Sequence, residues 1–241
     1  MARILIVGAA GTLGKHVAEQ AGAAGHDVVR TSRRARGDGW SAMDLTKDLP
    51  ELEADVVIHC GADPFGKGAA VEVGAMAKLR AAAPDARILY PSIVGVDRIP
   101  QFRYYRIKLA AEEALAAAGG DHAIVRFTQF HEFADRFAAM PVVVFPRHFR
   151  FQSLAASEAA AELVHLAETD DQGLIGDFGG PEVLHLRQMV RDRLATDGRR
   201  KLVVPLPLGG FSKALAAGLN LCPEAARGQR TWKEHLAGDE A

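Results

Sequence analysis

Cysteine is scarce in this sequence, and its scarcity excludes two kinds of site. Only two cysteines, Cys60 and Cys222, occur in 241 residues. They lie far apart among apolar neighbours, so they form neither a disulfide framework nor a zinc site. Nine histidines are present, but they are not grouped at the spacing that metal ligands require. We therefore expect two buried, reduced thiols, no metal and a cytoplasmic location.

The sequence also lacks an excess of charge of one sign. The formal net charge is −1, and the Arg33-Arg34-Ala35-Arg36 segment is the one short cluster of like charge. This balance argues against a nucleic-acid-binding surface. No apolar run approaches the ~20 residues of a membrane-spanning helix, and the first apolar run is too short for a signal peptide. The expected partner is a small-molecule substrate, with no nucleic acid and no membrane, in a monomer or homodimer.

What the sequence does contain, at its start, is a strand, a glycine-rich turn and a helix. Arg3–Val7 is a short apolar run rich in β-branched residues, and the turn follows it without a gap. Apolar residues then recur at helical spacing, for example at Val17 and Ala21. Strand, glycine turn and helix in this order are what a dinucleotide site requires.

Each glycine of the turn has a predicted role. Gly8 can take backbone angles closed to other residues, Gly11 lets a pyrophosphate approach the backbone, and Gly14 lets the helix pack closely on the strand. The phosphates would then lie at the positive end of the helix. The spacing is Gly-x-x-Gly-x-x-Gly rather than the commoner Gly-x-Gly-x-x-Gly, so a tight turn in another kind of α/β protein is the alternative. The cofactor-binding residues predicted here are Gly8, Gly11, Thr12, Leu13 and Gly14.

The end of the second predicted strand indicates which dinucleotide is bound. A site that prefers NAD usually carries an acidic residue there, which binds the ribose 2′-hydroxyl. This chain has Ser32, Arg33 and Arg34 instead. A guanidinium pairs with a 2′-phosphate through two hydrogen bonds, whereas a carboxylate repels it. The sequence therefore predicts NADP(H), with NAD(H) less favoured; the alternative is that these arginines are solvated loop charges.

Further cofactor contacts are predicted at the ends of two more strands. Asp44, followed by Leu45, could accept a hydrogen bond from the adenine amino group or could cap the next turn. Gly61 and Ala62 end an apolar strand and would let the cofactor ribose lie against the backbone. His59, in the same strand, is interpreted as a packed, hydrogen-bonded core residue.

The alternation of strands and helices predicts an α/β fold. Six strands with intervening helices fit residues 1–131, which gives a Rossmann-type, doubly wound parallel sheet as a dinucleotide-binding core. Residues 132–241 form a smaller, less regular substrate-binding part, expected to pack with the core as one structural domain. In that part the sequence predicts a hairpin over 141–151, short strands within 173–186, and helices over 155–168, 186–195, 212–218 and 225–236.

A second set of residues carries candidate chemistry. Ser92 ends a predicted strand, and Tyr104 and Lys108 stand four apart at the start of the next helix. A nearby lysine lowers the pKa of a tyrosine from its ordinary value of ~10 and can also hold the nicotinamide ribose, while a serine orients the substrate oxygen. Tyr105 is an alternative phenol. The competing interpretation is that the tyrosine only starts a helix and the lysine is solvated.

These motifs together resemble the short-chain dehydrogenase/reductase superfamily, and more narrowly its atypical, NmrA-like branch. The resemblance rests on Gly8-x-x-Gly11-x-x-Gly14, Ser32-Arg33, Asp44-Leu45, Ser92-Ile-Val-Gly-Val-Asp97, Tyr104-Tyr-Arg-Ile-Lys108 with Ala111-Glu112, and Arg126-Phe-Thr-Gln-Phe130. It covers roughly residues 1–131. The Tyr-x-x-x-Lys motif of the family corresponds to Tyr104 and Lys108, and its serine corresponds to Ser92.

The resemblance implies two functions. The first is an NADP(H)-dependent oxidoreductase that transfers hydride to or from a small carbonyl, alcohol or activated alkene, with Tyr104 as the acid/base. The second is a non-catalytic NADP(H)-binding redox sensor or regulatory protein, because the NmrA-like branch contains reductases, isomerases and regulators. Gln129, Phe130 and His131, after the sixth strand, are candidates to line the pocket.

Overall fold

A computed structural model describes residues 1–34, 36–62, 68–146, 148–206 and 209–238. The sequence predicts a loop over 64–68, of which 64–67 lie outside the described residues. The strands are β1 (Arg3–Val7), β2 (Asp27–Ser32), β3 (Trp40–Ala42), β4 (Val56–His59), β5 (Arg87–Ile93), β6 (His122–Phe127), β7 (Val143–Pro146), β8 (Arg150–Phe151), β9 (Gly173–Phe178), β10 (Leu184–His185) and β11 (Val203–Leu206). The helices are α1 (Thr12–Ala23), α2 (Gly68–Ala82), α3 (Arg103–Ala118), α4 (His131–Ala139), α5 (Ala156–Ala167), α6 (Leu186–Thr196), α7 (Gly209–Ala216) and α8 (Trp232–Gly238).

Seven strands form one parallel sheet in the order β3-β2-β1-β4-β5-β6-β9. The predicted Rossmann-type fold is therefore confirmed. β1 pairs with β2 on one side and with β4 on the other, so the chain reverses its direction of travel across the sheet at β1. Ligands of such sheets bind beyond the carboxyl ends of the strands at this point. That edge of the sheet carries the predicted site residues.

The central strands are buried because helices cover a parallel sheet on both faces. All four residues of β4 are buried, as are Ile4 to Val7 of β1. The core around them is formed mainly by Leu5, Val7, Met43, Val57, Met76, Leu79, Ile88, Tyr90, Ala111, Leu115 and Ile124.

The structure corrects several predictions for the second half of the chain. The seventh strand of the main sheet, β9, comes from residues predicted to lie outside the dinucleotide-binding core. The hairpin predicted over 141–151 is wrong, because β7 pairs in parallel with β11 and β8 pairs antiparallel with β10. The helix predicted over 225–236 is present only in its last part, because residues 223–225 form a 3₁₀ turn and α8 begins at Trp232. These pairings join segments distant in sequence, which local patterns do not record.

Two compact units are found within the described residues. The first contains 1–92, 103–126 and 157–176, and the second contains 93–102, 127–156 and 177–241. In the second unit, His131 and Trp232 are both buried and their rings lie 5.7 Å apart. None of the helices in the described part of the chain is both long and apolar enough to cross a lipid bilayer.

Candidate functional site

The glycine turn brings the ends of β1 and β4 into contact. Gly8 has φ +78°, in the region that glycine occupies readily. A Cβ on Gly8 would lie 2.7 Å from the Cα of Gly61. Val7 and His59, the residues in register just before this point, are paired across the two strands. Gly8 therefore has the backbone angle that the sequence predicts, and the structure adds a close approach of backbone to backbone between Gly8 and Gly61. A contact of Gly61 with the cofactor ribose stays a prediction.

Helix α1 starts within the same turn. The N–H of Gly11 donates to the carbonyl oxygen of Gly8 at 3.0 Å, and the N–H of Lys15 donates to Gly11 at 3.1 Å. Gly11 caps the helix without a side chain, so it offers no capping oxygen to the first N–H groups of α1. A Cβ on Gly14 would lie 2.8 Å from the Cα of Ala9. Gly14 thus packs against the turn itself, rather than against the strand as the sequence predicts.

These features fit the pyrophosphate of a dinucleotide. The turn has no side chains at Gly8, Gly11 and Gly14 that would fill the space in front of the helix. The first N–H groups of a helix, here those of Thr12 and Leu13, attract an anion together with the helix dipole. The residues present therefore suit the phosphates of NADP(H).

The end of β2 presents two exposed arginines. Arg33 and Arg34 are both exposed, and the Ser32 hydroxyl donates to the backbone oxygen of Arg34. Thr31, one position earlier, is buried and its hydroxyl donates to the oxygen of Ile6 at 3.0 Å. The guanidinium groups of this segment are accessible to an anion, whereas Thr31 holds β2 to β1.

Asp44 takes the capping role that was one of its two predicted roles. Its Oδ1 accepts hydrogen bonds from Thr46 N at 3.0 Å and from Thr46 Oγ1 at 2.7 Å. These bonds lower the pKa of the Asp44 carboxyl, with smaller contributions from the charges of Lys47 and Arg33. The Leu45 side chain packs against the core, and its oxygen accepts a hydrogen bond from Lys78. A contact of either residue with adenine stays a prediction.

Ser92 and Lys108 meet at the carboxyl end of β5. Ser92 is buried, and its Oγ has no hydrogen-bond partner among the described residues. The Lys108 ammonium, which reaches β5 from α3, donates to the oxygen of Pro91 at 2.9 Å. Because Pro91 immediately precedes Ser92, the structure brings two of the three predicted catalytic residues to one place.

Tyr104 lies one helical turn before Lys108. It is half-buried, and it is one of the groups that raise the pKa of Lys108. Tyr105 is 4% exposed and belongs to the core. The interaction of the half-buried Tyr104 with Lys108 favours Tyr104 as the functional phenol.

The buried face of α3 is more polar than the sequence predicts. Periodicity predicts Ile107, Ala111, Ala114, Leu115 and Ala118 on that face, but only Ala111 and Leu115 are fully buried. Tyr105, Lys108 and Glu112 are buried with them. Glu112 accepts two hydrogen bonds from Arg126, at 3.0 and 2.7 Å. Apolar spacing misses these residues because charged groups enter the interior when they are paired.

Glu72 is a site residue that the sequence interpretation missed. One of its carboxylate oxygens lies 2.8 Å from the Lys108 ammonium and also accepts the Tyr90 hydroxyl at 2.8 Å. Lys108 lies 4.3 Å from the centre of the Tyr90 ring. A signal was available, since Glu72 shares the helical spacing of the buried Met76 and Leu79 and is the one acid on that face.

His59 completes the buried cluster. It is 1% exposed and stacks on Tyr90 with the ring centres 5.9 Å apart. The predicted packing is confirmed, but neither ring nitrogen has a hydrogen-bond partner among the described residues. Burial lowers the pKa of His59 to about 4. His59 is therefore neutral at physiological pH.

His131 has a structural environment. It is fully buried, with Nδ1 2.8 Å from the Ser153 hydroxyl and Nε2 3.1 Å from the oxygen of Arg230. Burial lowers the pKa of His131 to about 4. Both ring nitrogens are thus engaged within the fold, so the predicted pocket-lining role receives no support at this residue.

Comparison with known proteins finds one matching family model and several solved structures with a similar fold. Residues 2–84 match the family model described as the RmlD substrate binding domain. No curated protein matches the sequence. The matched segment contains the glycine turn, the arginines after β2, and Glu72.

Several solved structures are similar over nearly the whole chain. A nucleoside-diphosphate-sugar epimerase from Staphylococcus aureus is 16% identical, with 97% of this chain and 99% of that chain covered and a TM-score of 0.74. MoeE5 in complex with UDP-glucuronic acid and NAD is 18% identical, with coverage of 98% and 96% and a TM-score of 0.72. A dTDP-4-dehydrorhamnose reductase from Bacillus anthracis in complex with NADP is 15% identical, with coverage of 98% and 97% and a TM-score of 0.68. At these identities the likeness establishes the Rossmann-like fold.

Proposed function

We propose that this protein is an NADP(H)-dependent oxidoreductase of the short-chain dehydrogenase/reductase type. Its substrate class would be a small carbonyl, alcohol or activated alkene. The observation that carries the proposal is the contact between the Lys108 ammonium and the oxygen of Pro91. Because Pro91 precedes Ser92, this contact supports a shared site for Lys108 and Ser92. The buried Ser92 hydroxyl has no partner among the described residues, so an oxygen-bearing substrate could satisfy it.

The cofactor would be held by the glycine turn and the strand ends around it. Thr12 and Leu13 offer N–H groups to the phosphates, and Gly61 and Ala62 offer backbone to the ribose. Arg33, with Ser32 and Arg34 beside it, would bind the 2′-phosphate. When bound, NADP(H) supplies or accepts the hydride. Similar folds in complex with NAD and with NADP support this cofactor class.

Each of the three site residues would have a separate role in the reaction. The Ser92 hydroxyl would donate a hydrogen bond to the substrate oxygen and so orient it. The Tyr104 phenol would give the proton to that oxygen in reduction and remove it in oxidation. Lys108, as an ammonium, would stabilise the phenolate of Tyr104 and thereby lower the pKa of the phenol.

Single-turnover oxidation of NADPH tests the proposal. The substrates should be a panel of small carbonyls and activated alkenes together with keto-sugar nucleotides. Tyr104→Phe should lower the rate about 10²- to 10⁴-fold, the usual contribution of a general acid, and should leave NADPH affinity nearly unchanged. Tyr105→Phe is the matched control and should retain the rate. Turnover that is equal in the wild type and Tyr104→Phe would exclude a catalytic role for Tyr104.

The second candidate is a non-catalytic NADP(H) sensor of the NmrA type. The burial of Lys108 favours it, since the residue is 4% exposed and its ammonium contacts Glu72 and the oxygen of Pro91. A sensor would capture different partners when loaded with NADP⁺ and with NADPH. Identical pull-down profiles in the two states, combined with substrate turnover, would exclude this candidate.

A further inference from the structure

We propose that Glu72 is a positioning residue that holds Lys108 in its charged form and directs it toward Tyr104. This inference rests on the proposed function. It starts from the 2.8 Å contact between the Lys108 ammonium and a Glu72 carboxylate oxygen. The two side chains are 5% and 3% exposed, so both charges lie in the interior.

A buried ammonium needs a fixed partner. Removing a charge from water carries a large free-energy penalty, and a buried partner offsets that penalty only when the geometry is good. Glu72 on α2 and the oxygen of Pro91 on β5 contact the Lys108 ammonium at 2.8 and 2.9 Å. Contacts from two separate elements restrain the direction of a flexible side chain, which a single contact would not do.

Tyr90 holds Glu72 in turn. Its hydroxyl donates to Glu72 Oε1 at 2.8 Å, the same oxygen that faces Lys108. The other oxygen, Oε2, has no hydrogen-bond partner among the described residues. The carboxylate is therefore oriented by Tyr90 for Lys108.

The groups around Lys108 come from four elements. They are Glu72 on α2, Tyr90 on β5, Tyr104 on α3, and His59 and Cys60 at the end of β4. Burial lowers the pKa of His59 to about 4 and raises the pKa of Cys60 to about 12, so both are neutral near pH 7. Among the described residues, Glu72 thus supplies the carboxylate that contacts Lys108.

The electrostatic balance at Lys108 depends on this carboxylate. Burial by itself would lower the pKa of Lys108, but interactions with Tyr90, Glu72 and Tyr104 raise it well above its ordinary value. Burial would raise the pKa of Glu72, but the charge of Lys108 lowers it. Without Glu72 the desolvated ammonium would lose its proton more readily. Tyr104 would then lose the positive charge that favours its phenolate.

The test uses Glu72→Gln, which keeps the shape of the side chain and removes its charge. The absorbance of the phenolate, measured against pH in each protein and in its Tyr104→Phe counterpart, isolates the titration of Tyr104. We expect the pKa of Tyr104 to rise by about one unit or more in Glu72→Gln. We also expect NADPH affinity, measured by fluorescence titration, to fall about tenfold. Glu113→Gln removes an exposed carboxylate from α3 and should leave both values unchanged.

Two further variants keep the test decisive. Tyr90→Phe retains the ion pair and removes only the hydroxyl that orients Glu72, so both effects should be present but smaller. In a Lys108→Met background, Glu72→Gln should cause no further loss of NADPH affinity, because Glu72 acts through Lys108. The proposal would be overturned if Glu72→Gln and Tyr90→Phe fold and the pKa of Tyr104 in both equals that of the wild type. A lower pKa of Tyr104 in Glu72→Gln would overturn it as well.

Failure of the proposed function is distinguishable from failure of this inference. Phenol titration and NADPH binding need no substrate and no turnover. If the pKa of Tyr104 rises in Glu72→Gln but the protein shows no turnover, the role of Glu72 is supported and the oxidoreductase function is excluded. If turnover depends on Tyr104 but the pKa of Tyr104 is unchanged in Glu72→Gln, the oxidoreductase function is supported and the role of Glu72 is excluded.

Discussion

Gly14 faces the carbonyl oxygen of Gly8 so closely that a Cβ on Gly14 would overlap it. The same Cβ would lie 2.8 Å from the Cα of Ala9. Both neighbours are backbone atoms, which cannot rotate away as a long side chain can. Helix α1 therefore begins at this distance from the turn only because residue 14 is glycine.

Gly14→Ala should weaken both the turn and cofactor binding. The overlap should destabilise the protein by about 1–3 kcal/mol, as overpacking does, and lower NADPH affinity by displacing the first turn of α1. Gly22→Ala, in the exposed part of the same helix with nothing within 4 Å of the new Cβ, is the control. It should stabilise the protein by up to about 1 kcal/mol. Urea unfolding measures the free energy of unfolding of both variants, and NADPH titration measures their affinity. If Gly14→Ala is as stable as Gly22→Ala, the proposed role of Gly14 is contradicted.

Arg33→Ala should discriminate between the two cofactors. An exposed guanidinium that binds the 2′-phosphate contributes roughly 1.5–3 kcal/mol to NADPH binding and nothing comparable to NADH, which lacks this phosphate. Calorimetric titration with each cofactor measures the difference. Arg191→Ala, an exposed arginine on α6, is the control and should leave both affinities unchanged. An equal loss for NADH and NADPH in Arg33→Ala would show that Arg33 does not select the phosphate.

Ser92→Ala should separate stability from activity. The Ser92 hydroxyl is buried without a partner among the described residues, so its removal should leave the free energy of unfolding unchanged or slightly increased. Turnover should fall, since the substrate oxygen loses its hydrogen bond. In contrast, Ser153→Ala removes a hydroxyl 2.8 Å from His131 Nδ1 and should destabilise the protein by about 1–3 kcal/mol. A strongly destabilised Ser92→Ala would mean that Ser92 serves the fold.

The buried His59 should make stability depend on pH. Burial lowers its folded-state pKa to about 4 from an ordinary value of 6.5. The unfolded chain therefore binds more protons between these values, so stability is lost as pH falls below 6.5. For one such group the loss between about pH 7.5 and 5.5 is about 1 kcal/mol. His59→Leu should reduce this loss, measured by urea unfolding at both values, whereas the exposed His148→Leu should not. Part of the remaining loss of stability comes from His131, because burial also lowers the pKa of His131 to about 4.

The first half of the fold could be predicted from sequence because its signals are local. The glycine turn, the apolar strands and the helices between them each appear within short stretches of neighbouring residues. The second half could not be predicted in the same way. β9 joins a sheet begun about 170 residues earlier, and β7 pairs with β11 across about 60 residues. The functional division at residue 131 and the cytoplasmic location stay predictions.

The glycine turn could be recognised without a structure, as could the arginines after β2 and the spacing of Tyr104 and Lys108. Glycine geometry, charge and helical periodicity are properties of neighbouring residues, so they can be read without a structure. The burial of Lys108 against Glu72 and Pro91 depends on the folded chain, since the three residues come from three separate elements. A pattern of apolar residues assigns lysine to the surface. Burial of Lys108 instead requires the Glu72 carboxylate at 2.8 Å, because a charge enters the interior of a protein only with a partner that offsets its lost hydration.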